Sequence, residues 1–163
     1  MRQGEIDGAW VPEPWGTRLI LEAGATLFLD ERDIWPDGRF VTTHLIVRPA
    51  YLRDNPAIVE ALLRAHVELT QFIHANPTEA RDLVNTSIEK ITTARLPAQV
   101  IDAAWQNIDV TYDPIAPSLQ KSADEAYAAG FLDTRPDLTE IYDLSLLNKV
   151  LRDAGLAEVE GLA

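Results

Sequence analysis

The sequence changes character near Tyr51. Before it lie short β-branched and apolar runs punctuated by Pro and Gly; after it the apolar residues recur at helical spacing almost to the end. A self-contained α/β domain interleaves strands and helices so that each sheet face is covered. A chain that spends its strand signals first and its helix signals afterwards resembles a piece of a larger α/β arrangement. The fold expected is therefore α/β, a partial one, with a short strand-rich amino-terminal part and about five helices behind it.

The strand signals are Glu5 to Val11, Ala25 to Leu29 and, most clearly, Phe40 to Val47, where Val41, Thr42, Thr43, Ile46 and Val47 supply β-branched side chains. Pro12 and Pro14 forbid regular pairing around Glu13, so residues 12–16 read as a loop leaving the first strand. Thr17 to Ala23 reads as a helix stopped by Gly24, and Pro36, Asp37 and Gly38 as a turn. Beyond Tyr51, Asp54, Asn55 and Pro56 open a long helix on which Ile58, Val59, Leu62, Leu63, His66, Val67 and Ile73 share the apolar side. Asn76, Pro77 and Glu79 start another that runs to about Thr92. Pro97 opens a third, residues 117–129 form a fourth ended by Gly130, and Ser145 caps a last helix through Asp153, stopped by Gly155.

Composition removes whole classes of function. Lys and Arg total 14 against 26 Asp and Glu, for a net charge of −12, so the long-range field repels phosphate backbones and nucleic acid is no partner. Cysteine is absent, which excludes disulfide scaffolds, thiolate metal sites and cysteine nucleophiles. His66 and His74 share a helix at a spacing of eight, unlike the one-turn spacing of a zinc pair, and the acidic residues Glu31, Asp33 and Asp37 lack the order of a calcium loop. No glycine-rich phosphate loop or nucleophile elbow occurs, so no cofactor and no catalytic residues are expected.

Trp10, Glu13 and Trp15 form the sharpest constellation. An indole offers a flat apolar wall and one N–H donor, suited to an alkyl chain and its oxyanion, although a tryptophan is as readily a packing anchor. Glu13 repels an anion and suits a salt bridge with Arg18 or a ligand amine. Thr42, Thr43 and His44 offer two hydroxyls and a titratable ring, and strand alternation puts Thr42 and His44 on one face.

The run Gly4, Glu5, Ile6, Asp7, Gly8, Ala9, Trp10, Val11, Pro12, Glu13, Pro14, Trp15, Gly16 resembles the strand and ligand-side loop of the nitrate, sulfonate and taurine substrate-binding proteins of ABC transporters. The resemblance continues through Leu29, Asp30, Glu31, Trp35 and Pro36, then Thr42, Thr43 and His44, then Asn55 and Pro56. It extends to Gly130, Phe131, Ile141, Tyr142, Asp143 and Leu144. It implies the carboxy-terminal portion of a two-lobed clamp of the periplasmic-binding-protein type: residues 1–39 end the second lobe, 40–50 are a hinge strand, and 51–163 are the helical part of the first lobe. Truncation is then the expectation, with Met1 an internal start.

The resemblance further implies a small anionic ligand (alkanesulfonate, taurine or nitrate) held by Trp10, Glu13, Trp15, Thr42, Thr43 and His44, delivery to a transporter permease, and no enzymatic activity. Such proteins work outside the membrane, whereas residues 1–8 carry charge and lack a secretory signal, so the chain as written is expected in the cytoplasm. Two alternatives stay open. One is an enzyme akin to thiamin pyrimidine-precursor synthases, which would call for an active-site His and Cys set; the other is a non-binding remnant that persists as a homodimer through exposed strand edges and apolar helix faces.

Overall fold

The computed structural model describes Met1 and residues 3–162. Seven α-helices occur among them: α1 (Trp15–Ala23), α2 (Pro49–Asp54), α3 (Pro56–Ala75), α4 (Pro77–Thr92), α5 (Ala98–Trp105), α6 (Ala116–Ala128) and α7 (Ser145–Asp153). Two short 3-10 turns, Glu31–Asp33 and Pro36–Gly38, lie between α1 and α2.

Proline sets most of the helix starts. Pro49, Pro56 and Pro77 are first residues, Pro117 sits in the first turn of α6, and Pro97 immediately precedes α5. The missing N–H costs nothing there because the first helical amides have no intrahelical acceptor, and the ring fixes φ at a helical value. The end of α7 is closed with equal economy. Gly155 takes φ +70°, and the Leu156 amide reaches back to the Leu151 carbonyl at 2.9 Å. Leu156 then packs on the cluster that contains Leu151, the apolar contact that accompanies this kind of closure. At the start of α7, Ser145 is the first helical residue and not its cap. Asp143 instead accepts from the Ser145 amide at 3.0 Å and from its hydroxyl at 2.6 Å.

The α/β expectation is overturned, and with it the partial periplasmic-binding-protein-like fold: no strand occurs among the described residues. Glu5 to Val11, Ala25 to Leu29 and Phe40 to Val47 are all irregular. Strand preference measures how well a side chain fits a paired, half-buried surface, and none of these runs has a second strand beside it to pair with. Their apolar residues consequently face water: Phe28 is 99% and Ile46 87% exposed. Helices close their hydrogen bonds within one segment and need no such partner, so the helical readings from α3 to α7 stand, with α2 added.

The chain divides into two compact units, Met1–Phe28 with Thr70–Val110, and Leu29–Leu69 with Thr111–Ala163. In the first, α5 packs against both α1 and α4. Its buried residues, among those described, are Thr17, Thr70, Ala80, Asn85, Val100, Ile101 and Ala104. In the second, Val67 of α3 meets Leu147, Val150 and Leu151 of α7, with Leu63, Tyr112, Leu144 and Val159 around them. The apolar side of α3 is narrower than the sequence suggests. Val59 and Val67 are buried and Leu63 is half-buried, whereas Ile58 and Leu62 are exposed.

Each unit carries one asparagine that grips a peptide group in two directions. Asn85 of α4 donates to the Leu96 carbonyl at 3.0 Å and accepts from its amide at 2.8 Å. Asn148 of α7 does the same to Val159, at 3.0 Å in both directions. Both clamps span 11 residues, from a helix to the extended segment that follows its end.

Replacing Asn85 or Asn148 by Ala strands one amide and one carbonyl. Each variant should lose about 1–3 kcal/mol in chemical denaturation, the typical cost of a buried polar group left unpaired. Leu151→Ala, at a fully buried position, should cost about 2–5 kcal/mol. Acid titration gives a separate check on α7. The Ser145 hydroxyl and then its amide hold the Asp143 carboxyl below its ordinary range. The resulting stability is complete above the unfolded-state value and is lost as pH falls through the folded one, so Asp143→Asn should unfold with a weaker dependence on acid.

Candidate functional site

The six sequence candidates fall into two groups, one in each unit. In the first unit Glu13 is engaged by protein donors. Its carboxylate accepts from the Thr17 amide at 3.1 Å, the Thr17 hydroxyl at 2.9 Å and the Asn107 side-chain amide at 2.8 Å. Thr17 is buried, and Asn107 lies just past the end of α5, so Glu13 caps α1 and ties it to the α5 end. A carboxylate at a helix amino terminus also meets the favourable end of the helix dipole. Arg18 bonds to Glu22 through Nε at 3.2 Å, a half-buried pair one turn apart.

The two tryptophans are the accessible part of this group. Trp10 is 73% and Trp15 54% exposed. The Arg18 guanidinium lies 4.8 Å from the Trp15 ring centroid, within cation–π range. Both indoles are thus open to solvent, while the Glu13 carboxylate is held by Thr17 and Asn107.

In the second unit Thr42 and Thr43 are exposed, while Val41 and His44 are half-buried. The inward spacing is three and not two, so the expected common face of Thr42 and His44 is lost together with the strand. His44 Nε2 lies 3.2 Å from the Pro114 carbonyl and 3.1 Å from the Tyr142 hydroxyl. A carbonyl can only accept, so Nε2 is the donor in that contact. Two further ties hold the same segment, one to the loop before α6 and one to the first turn of α6 itself. Arg39 pairs with Asp113 at 3.0 Å, and the Val41 amide donates to the buried Ser118 hydroxyl at 3.1 Å. Burial, then the Asp113 charge, raises the Tyr142 phenol above its ordinary pKa.

Arg39, Asp113, Ser118 and Tyr142 were not among the sequence candidates for this cluster. Contacts across 70 to 98 residues leave no periodic trace in the sequence. A shallow open groove of about 810 Å³ lies nearby in the same unit, lined by Pro117, Gln120, Lys121, Asp124, Glu125, Gly161 and Leu162. Its charges are matched locally: Lys121 bonds to Glu125, and Arg135 pairs with Asp124 at 2.7 Å. Among the described residues no cluster of three or more His, Asp or Glu could hold a metal ion. No helix among them is long and apolar enough to cross a membrane.

A family model described as NMT1-like matches residues 1–88, just over half the sequence. The chain belongs to the NMT1-like family. That family includes nitrate, sulfonate and taurine binding proteins of the ABC type. All six candidate residues lie inside the matched segment, whereas Asp113, Ser118 and Tyr142 lie beyond it. No curated protein and no solved structure matches the chain.

Removal of the His44 ring should free the segment around it. In His44→Ala, amide hydrogen exchange across residues 40–48 should accelerate while α1, α4 and α5 keep their protection. Unchanged exchange would mean that Arg39 and Ser118 suffice. For Tyr142, absorbance titration should show a phenol ionising above the ordinary range in the native protein and closer to it in Asp113→Asn, where the nearby negative charge is gone.

Proposed function

We propose that this chain is a solute-binding element for a small organic or inorganic anion such as an alkanesulfonate, taurine or nitrate, acting without covalent chemistry. The observation that carries the proposal is the NMT1-like match across residues 1–88, which contains every candidate contact. The exposed indoles of Trp10 and Trp15 support it, because a flat apolar wall with an N–H donor accepts the alkyl body and the oxyanion of such a ligand. Glu13, engaged by three donors, acts in this reading as the support that fixes the loop and not as a group that bonds the ligand. Thr42 and Thr43, in the other unit, are exposed and play no part in this reading. In this role the chain works outside the membrane and hands its ligand to a transporter permease.

A ligand that binds only the folded state stabilises it by mass action, about 2.7 kcal/mol when present at 100 times its dissociation constant. Thermal unfolding with taurine, nitrate and an alkanesulfonate should therefore show a raised midpoint for at least one of them. Trp10→Ala should abolish most of that rise, and its melting without ligand should match the parent. No rise with any of the three, in a protein that melts cooperatively, would remove the solute-binding reading.

A further inference from the structure

The longest helix carries an apolar stripe that its own unit does not cover. Relative to the buried line of Val59, Leu63 and Val67, the residues Ile58, Leu62, Ala65 and Leu69 fall about a third of a turn around α3 at 100° per residue. All four are exposed; Ile58, Leu62 and Leu69 are 57%, 52% and 60% so. On its third side α3 is polar. There Glu60 bonds to Lys149 and to Arg64 at 3.2 Å, and Arg64 reaches Asp153 at 3.5 Å.

Three properties of the stripe select its occupant. The steps between its residues are four, three and four, which is the alternation of a coiled-coil seam and fits another helix better than a loop or a peptide strand. The four positions are symmetric about the midpoint between Leu63 and Arg64. An antiparallel copy of the same helix therefore sets Ile58 on Leu69 of the partner and Leu62 on the partner's Ala65, large side chain against small. The third property is charge. The molecule carries −12, yet the stripe has no ionisable residue, and the adjoining Glu60, Arg64, Glu68, Lys149 and Asp153 leave a single net negative charge. In the antiparallel register Glu68 lies opposite Val59 of the partner, so no like charges face one another.

We infer that Ile58, Leu62, Ala65 and Leu69 form a self-complementary seam through which two copies of this chain associate by antiparallel α3–α3 packing. The seam is about 16 Å long at 1.5 Å per residue, so the dimer is a weak, concentration-dependent one. Its association strengthens with added salt, because screening relieves the repulsion between two −12 copies while leaving the apolar contact intact.

Sedimentation velocity across a wide concentration range tests this in the full chain. The parent should show a monomer–dimer equilibrium that shifts toward dimer as salt rises. Ile58→Glu and Leu69→Lys should each weaken the dimer roughly tenfold or more. The register-specific arm is the double variant. Ile58→Glu with Leu69→Lys places opposite charges across both ends of the antiparallel pair and should restore association, now weakened by salt. Because these positions are exposed, circular dichroism and melting should match the parent in all three variants. A parent that stays monomeric at every concentration overturns the inference. So does a dimer unaffected by the single variants, since another surface then carries it, or a double variant that fails to recover, since the helices then do not meet in this register.

Discussion

Every backbone N–H and C=O that leaves water must find a partner, and this chain meets that demand almost wholly with helices. Connections between helices cannot be satisfied that way, and here the two asparagine clamps carry disproportionate weight. Asn85 and Asn148 each offer a donor and an acceptor on one side chain, the minimum needed to imitate a neighbouring strand for a single peptide group. Through Asn85 the segment after α4 is fixed where α5 begins. Through Asn148 the tail after α7 is laid back so that Leu156 and Val159 join the second unit's core.

The candidate site follows the same economy. Glu13 entered the ligand set only through the resemblance, since its own charge repels an anion and suits a salt bridge. Its three protein donors show a carboxylate that organises the loop and the start of α1, leaving the indoles outside. His44 serves its own segment in a comparable way. One nitrogen reaches two oxygens from distant parts of the sequence and pins a stretch that has no ladder to hold it. Membership of the NMT1-like family rests on the half of the chain that holds these loops. The chain beyond residue 88 supplies the groups that hold them: Asn107 for Glu13; Asp113, Ser118 and Tyr142 for the segment around His44.

What could be read from the sequence divides along the range of the interactions. The starts of α3 and α4 and the ends of α1 and α7 were legible because Pro56, Pro77, Gly24 and Gly155 act on their own immediate backbone. The strands were misread for the complementary reason. Phe40 to Val47 has the residues of a strand, but a strand exists only with a neighbour, and nothing in those eight residues says whether one is present. Within helices the same limit recurs at finer scale. Periodicity placed Ile58 and Leu62 with Val59 and Leu63 on one apolar side, and only packing against α7 shows which half is covered. Of the site, the exposed tryptophans were legible as chemistry, whereas the ties from Asn107, Tyr142 and Ser118 arise from folding contacts that no local pattern encodes.

The Asn85 clamp also bears on how this sequence would fare in a compartment that attaches sugars. Asn85, Thr86 and Ser87 spell the tripeptide that oligosaccharide-transferring enzymes recognise, and its asparagine nitrogen is the atom a glycan would occupy. In the folded chain that nitrogen is committed to the Leu96 carbonyl and the side chain is buried. A sugar on Asn85 and a closed clamp exclude each other, so the tripeptide is an acceptor only for as long as the chain remains unfolded.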